Sequence, residues 1–172
     1  IPTALLEFLR EEGPRLGIEL ADSGKGEYAV ISDKVRLAPF NPVLSDLEAR
    51  LRAMDTTGVD IQLISGWIDL TAYALSPAAG AEYSRRFNEI IAGEAGKHPD
   101  RLLPLGTVPL QDPARAAEEL AVAVRDVGMA GVQIANTVDG TDLDQAGLDT
   151  FWEAAEDLGC LVVLHTCDPL PG

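Results

Sequence analysis

Leu161-Val162-Val163-Leu164-His165 is a run of four aliphatic residues that ends on an imidazole. A run this short and this continuously apolar suits a strand buried on both faces of a parallel sheet. Ahead of it Leu148, Trp152 and Ala155 recur at helical spacing, and Gly159 stops that helix. The same grammar repeats upstream. Gly131 to Ala135 reads as a strand, preceded by a helix that Asp112-Pro113 opens, that runs through Leu120, Val124 and Val127, and that Gly128 ends. Leu102 to Val108 and Val59 to Ile64 are two more strand-like runs. Between them lies a helix from about Pro77 to Gly96 with Tyr83, Phe87, Ile90 and Ile91 on one side. Ser45-Asp46-Leu47-Glu48 has the capping-box form and opens a helix faced by Leu47, Leu51 and Met54 and ended by Gly58.

Strands alternating with helices in this way predict βαβ units and a parallel sheet. Two parallel architectures compete, an open doubly wound sheet and a closed (β/α)₈ barrel. No GxGxxG or GxxxxGK[ST] follows any strand, which removes the commonest reason for the open sheet. The expected fold is therefore α/β, a (β/α)₈ barrel. Four strands do not close one, and complete barrels take about 250 residues. The chain is accordingly expected to be a single partial barrel domain, beginning in a helix and ending just past a strand. That opening helix carries Leu5, Leu6, Phe8 and Leu9 between Pro2-Thr3 and Gly13. The stretch from about 14 to 41 reads as a hairpin insertion, Tyr28 to Ile31 and Val35 to Leu37 flanking Ser32-Asp33-Lys34.

The 172 residues are 47% hydrophobic and 5% aromatic, the make-up of a globular protein of helices and aliphatic strands. A formal charge of −15 argues against nucleic acid and against anionic membrane surfaces, because either partner needs a cationic patch. The 13 Lys and Arg are scattered, as at Arg10, Arg50, Arg85 and Arg115. No uncharged stretch approaches the length of about 18 residues that a membrane span needs. Ile1-Pro2-Thr3-Ala4 does not open a secretory signal. Cys160 and Cys167 lie too close for a useful disulfide and read as reduced thiols of a cytoplasmic protein.

In parallel α/β folds the chemistry gathers at the carboxyl ends of the strands. Here those positions hold Ser65 and Trp67, Gln111 and Asp112, Asn136 and Thr137, then His165, Thr166 and Asp168. There are two histidines, and topology separates them. His98, between a helix end and a strand start, falls on the face associated with stability. His165 would project into the mouth. Position alone leaves it two roles, a histidine hydrogen-bonded at the rim or a catalytic or metal-binding group. No HxH, HExxH or CxxC accompanies it.

The run Met54-Asp55-Thr56-Thr57-Gly58-Val59-Asp60-Ile61-Gln62-Leu63-Ile64-Ser65 resembles a signature segment of the amidohydrolase-related barrel proteins that include aminocarboxymuconate-semialdehyde decarboxylase. So do His98-Pro99-Asp100-Arg101, Thr107-Val108-Pro109-Leu110-Gln111-Asp112-Pro113, the pair Phe151-Trp152 and the ending Leu164-His165-Thr166-Cys167-Asp168-Pro169. These matches arrive in order over nearly all of the chain after about residue 45. The resemblance implies a (β/α)₈ barrel with one divalent metal, usually zinc. In that family an HxH pair on the first strand, a histidine ending the fifth and a later aspartate bind the metal, and a histidine on the sixth strand moves protons. Only the fifth-strand ligand falls on a residue present here, His165. The four strands read above then become the second to the fifth, and the catalytic histidine is expected downstream.

The implied activity of the intact protein is metal-dependent, non-oxidative decarboxylation of an aromatic or unsaturated carboxylate, with this chain inactive alone. The resemblance also implies a small-molecule carboxylate as partner, and relatives often pair as homodimers. Trp67 would wall the substrate, unless it only packs; Asn136 would offer a hydrogen bond, unless it belongs to a turn. Arg36 would meet the substrate carboxylate. Asp168 would orient the His165 ring, unless it only starts the next helix. Two rival readings stand beside this one: a metal-dependent hydrolase of an amide or lactone, and a noncatalytic barrel fragment.

Overall fold

A computed structural model describes residues 2–22, 24, 26–32, 35–36 and 46–166. It opens with α1 (Thr3–Glu11) and the short α2 (Gly13–Leu16), then a small antiparallel sheet of β1 (Ile18–Asp22), β2 (Glu27–Ile31) and β3 (Val35–Arg36). The expected two-strand hairpin is thus three-stranded. The missed strand, β1, pairs with β2 from Ile18 opposite Ile31 to Asp22 opposite Glu27. Leu37 lies outside the described residues. Leu5, Leu9, Ile18 and Ile31 are fully or almost fully buried and share one core cluster with Tyr83 and Phe87, which anchors this sheet to the rest of the molecule.

The main sheet is parallel, in the order β4 (Gln62–Ile64), β5 (Leu102–Gly106), β6 (Gly131–Ala135) and β9 (Leu161–His165). Helices α3 (Leu47–Thr57), α4 (Pro77–Ala95), α5 (Pro113–Val122) and α6 (Asp149–Leu158) connect and cover it. Short β7 (Thr137–Val138) and β8 (Thr141–Asp142) form a hairpin on Asp139-Gly140, both at positive φ as a tight hairpin turn requires. This order and direction are those of βαβ units.

Local boundaries shift where side chains intercept the backbone. Asp46, not Ser45, caps α3, accepting from the Ala49 N–H at 2.8 Å; Ser45 lies outside the described residues. The Val59 to Ile64 run is a strand only from Gln62. Arg101 donates to the carbonyls of Val59 and Asp60 and to the Asp55 carboxylate, so those carbonyls serve an arginine and not a neighbouring strand. β5 ends at Gly106, short of Val108, because the Asn88 carboxamide takes both backbone polar groups of Thr107: its oxygen accepts from the Thr107 N–H and its nitrogen donates to the Thr107 carbonyl. α5 closes in a π-helical turn, Ala123–Val127, before left-handed Gly128.

Alternation gives the sheet two sides. Val132 and Ile134, both 0% exposed, pack under Leu120 and Phe151 of the helices. The Ser65 hydroxyl donates to Gln133 Oε1 at 2.8 Å, which places these two residues on the opposite, inner side. Counting by twos along paired strands adds Leu63, Leu103, Leu161, Val163 and His165 to that side. Gly131 belongs there too, where a Cβ would stand 1.9 Å from the Leu161 carbonyl oxygen. On the helix side, Arg85 of α4 pairs with the nearly buried Glu119 of α5 at 2.6 Å. The Tyr83 hydroxyl donates to the Leu70 carbonyl at 2.8 Å. Burial pushes that phenol well above its ordinary range.

Candidate functional site

His165 is the last residue of β9, exposed on the inner side at the carboxyl end of the sheet. β9 lies in register with β6, Ala135 opposite His165, and the Asn136 N–H extends the ladder by donating to the His165 carbonyl at 3.1 Å. The ring is held as well: Nδ1 lies 2.7 Å from the Thr166 carbonyl oxygen. A carbonyl only accepts, so Nδ1 carries the proton, and in the neutral ring Nε2 is then the nitrogen with the lone pair. An imidazole whose Nδ1–H is fixed by a carbonyl is oriented as metal-binding histidines are.

The chain just past β4 is fixed by packing. A Cβ at Gly66 would come within 2.1 Å of the Phe87 ring, so only glycine lets the chain pass there. Ser65 and Trp67 flank it, and Trp67 leads into a 3₁₀ turn, Ile68–Thr71. A cavity of about 310 Å³ is lined by Ser65, Trp67, Gln133 and His165 at the inner side of the sheet. It continues along β4 to Leu47, Arg50, Ile91 and Glu94 on α3 and α4.

The structure thus brings Ser65, Trp67 and His165 together and leaves the other strand-end candidates apart. Asn136 approaches His165 through its backbone and does not line the cavity. Gln111 spans the loop, its Nε2 donating to the carbonyls of Leu75 at 3.1 Å and Ala72 at 3.4 Å. Asp112 caps α5, accepting from the Arg115 N–H at 3.1 Å. Thr137 is paired with Asp142 in the hairpin. Arg36 sits opposite Val30 in β3, its side chain outside the described residues, as Asp168 is altogether. His98 stands at the other end of the strands, 4.0 Å from Glu48. Three polar residues that line the cavity were not among the sequence candidates for the site: Gln133, Arg50 and Glu94. Gln133 had a signal, a lone polar residue inside an apolar strand run.

His165 is the metal-donor candidate at this site. Its Nε2 is chemically suited to hold one position of a coordination shell. Among the described residues no three His, Cys, Asp or Glu side chains gather as a complete ligand set.

The family model described as amidohydrolase matches residues 40–170. The chain belongs to the amidohydrolase family. Of its relatives, gamma-resorcylate decarboxylase of Rhizobium sp. (strain MTP-10005) is 34% identical over 134 residues, 72% of this chain and 40% of that protein. The 2-amino-3-carboxymuconate-6-semialdehyde decarboxylase of Dictyostelium discoideum is 29% identical over 120 residues, 70% of this chain and 33% of that one. A dihydroxybenzoic acid decarboxylase from Polaromonas sp. JS666, solved with bound manganese and the inhibitor 2-nitroresorcinol, superposes with a TM-score of 0.66 at 27% identity. That match covers 73% of this chain and 40% of the other. The chain spans a third to two fifths of the length of these proteins. In this amidohydrolase, β4, β5, β6 and β9 are four of the strands of a (β/α)₈ barrel.

Proposed function

We propose that the intact amidohydrolase carrying this chain is a metal-dependent, non-oxidative decarboxylase of an aromatic or unsaturated carboxylate. The observation that carries this reading is His165: it stands at the carboxyl end of β9, ring fixed through Nδ1, beside a cavity walled by Trp67. Its Nε2 would hold the metal, whose chemistry is to bind the substrate carboxylate and stabilise negative charge. Trp67 offers the apolar wall against which a planar ring lies. Asn136, through its N–H on the His165 carbonyl, keeps the end of β9 in register.

We assign zinc as the ion, following the preference of imidazole ligands, although the Polaromonas relative carries manganese. Arg36 and Asp168 stay in the proposal as the substrate-carboxylate contact and the partner of the His165 ring. A cytoplasmic homodimer acting on a small carboxylate completes it. Among the described residues no helix is long and apolar enough to cross a membrane.

The test is metal analysis of the intact protein purified without added metal, paired with CO₂ release from hydroxybenzoates. One equivalent of zinc, a loss of at least about tenfold in metal affinity on His165→Ala, and CO₂ without any redox cofactor are expected. Unchanged metal content in His165→Ala removes the histidine from the site. Ring or amide opening without CO₂ from any carboxylate moves the enzyme to the hydrolases.

A further inference from the structure

β6 outruns its neighbour β5. Their pairing stops at Gly106 opposite Val132, short of Ala135, and the Asn88 carboxamide takes the backbone N–H and carbonyl of Thr107 that would prolong it. Backbone N–H groups alternate sides along a strand. The Asn136 N–H goes to His165 of β9, so the Ala135 N–H faces the β5 side, where the ladder has already ended. The Tyr73 hydroxyl accepts it there, at 3.4 Å. Tyr73 comes from the loop after β4, is buried, and shares a core cluster with Val108, Leu110 and Val138. A phenol from a neighbouring loop thus stands where a strand carbonyl is missing.

The same loop carries Trp67, and the chain between the two residues is stiff. The Trp67 carbonyl accepts from the Leu70 N–H at 2.9 Å, and the Leu70 carbonyl accepts from the Tyr83 hydroxyl at 2.8 Å. Ala72 is left-handed, at φ 58°, and its carbonyl accepts from the Leu75 N–H at 3.1 Å and from Gln111 Nε2 at 3.4 Å. A left-handed alanine persists only where its surroundings over-determine it. Tyr73 therefore joins two walls of the cavity: along this loop to Trp67, and through Ala135, opposite His165 in the β6–β9 ladder, to the histidine. We infer that Tyr73 is a positioning residue whose hydroxyl sets the spacing between Trp67 and His165, and with it the width of a slot for a planar ligand. It acts through those residues, since Tyr73 is not among the side chains that line the cavity. The inference rests on the decarboxylase reading for which part of a ligand lies against Trp67.

The experiment compares the intact, manganese-loaded protein with its Tyr73→Phe variant, which keeps the ring and loses the acceptor. One reading needs no ligand: hydrogen exchange at the Ala135 amide is expected to quicken by about tenfold. The other is titration calorimetry with benzoate and with cyclohexanecarboxylate, a flat and a puckered ring on the same carboxylate. The native protein is expected to prefer benzoate by about tenfold, the worth of one ring contact, and Tyr73→Phe to narrow that ratio to about twofold. A residue that only supports the fold would lower the melting temperature and leave the ratio alone. Should Tyr73→Phe fail to fold, Gln111→Met, which frees the same loop at Ala72 and Leu75, should narrow the ratio in its place. Unchanged exchange at Ala135 overturns the inference, and so does a benzoate preference that is absent from the native protein or survives in both variants. CO₂ release with an unmoved ratio sinks the positioning role and spares the reaction; a narrowed ratio without CO₂ from any carboxylate sinks the reaction and spares the positioning role.

Discussion

The two sides of the parallel sheet have the same aliphatic strands and opposite fates. On the helix side Leu102, Val132 and Ile134 are 1%, 0% and 0% exposed beneath α4, α5 and α6. On the inner side Leu63, Leu103 and Leu161 are 44%, 39% and 49% exposed, and the polar residues Ser65, Gln133 and His165 share their surface. The helix side carries the packing of these residues, and the inner side carries the cavity. The closure is complete over β5 and β6 and stops at β9, where Leu164, opposite Ile134 on the helix side, is 60% exposed.

The largest expected effect comes from opening the closed side. Phe151 of α6 is 0% exposed, in edge contact with Trp152 at 4.9 Å between ring centres, and packed in the cluster that includes Leu120 and Ile134. Phe151→Ala should cost about 3–5 kcal/mol, read as a fall in the urea midpoint of the 172-residue chain. Leu103→Ser on the inner side should cost this chain under about 1 kcal/mol, since that side chain already meets water. A loss of equal size in both variants would break the division between the two sides.

That division was only half visible in the sequence. Helix stops were the easiest to read, because Gly58, Gly128 and Gly159 all end in the left-handed conformation where a side chain is disfavoured. The parallel strands were legible for the same reason that their sides were not: a run such as Leu161-Val162-Val163-Leu164 is apolar throughout, so alternation carries no label of inside and outside. Strand ends depended on Arg101 and Asn88, which act across 41 and 19 residues of sequence. No local pattern announces such contacts. β1 was missed because Ile18-Glu19-Leu20 offers only three alternating residues before Ala21. At the site, topology put His165 and Trp67 at strand ends, and both line one cavity, yet Gln133 needed the sheet order, since its partner Ser65 is 68 residues away.

A third region, the solvent side of the helices, sharpens the comparison by its weakness. Arg15 of α2 is bonded to both Glu12 and Glu82, and these carboxylates hold its guanidinium far above its usual range. In return Arg15 holds the Glu82 carboxyl below the ordinary carboxylate range. A carboxyl depressed in the folded state lends stability in full above its unfolded pKa, and loses it as pH falls through the folded value. The contribution is therefore present at neutral pH and absent in acid. Because both groups are exposed, water and salt screen most of it. Glu82→Gln should lower the melting temperature at about pH 7 by less than either substitution above, and the two proteins should converge at about pH 2. The gap should also shrink as salt is raised. A gap that persists in acid would mean that Glu82 acts through packing of α4 against α2 and not through its charge.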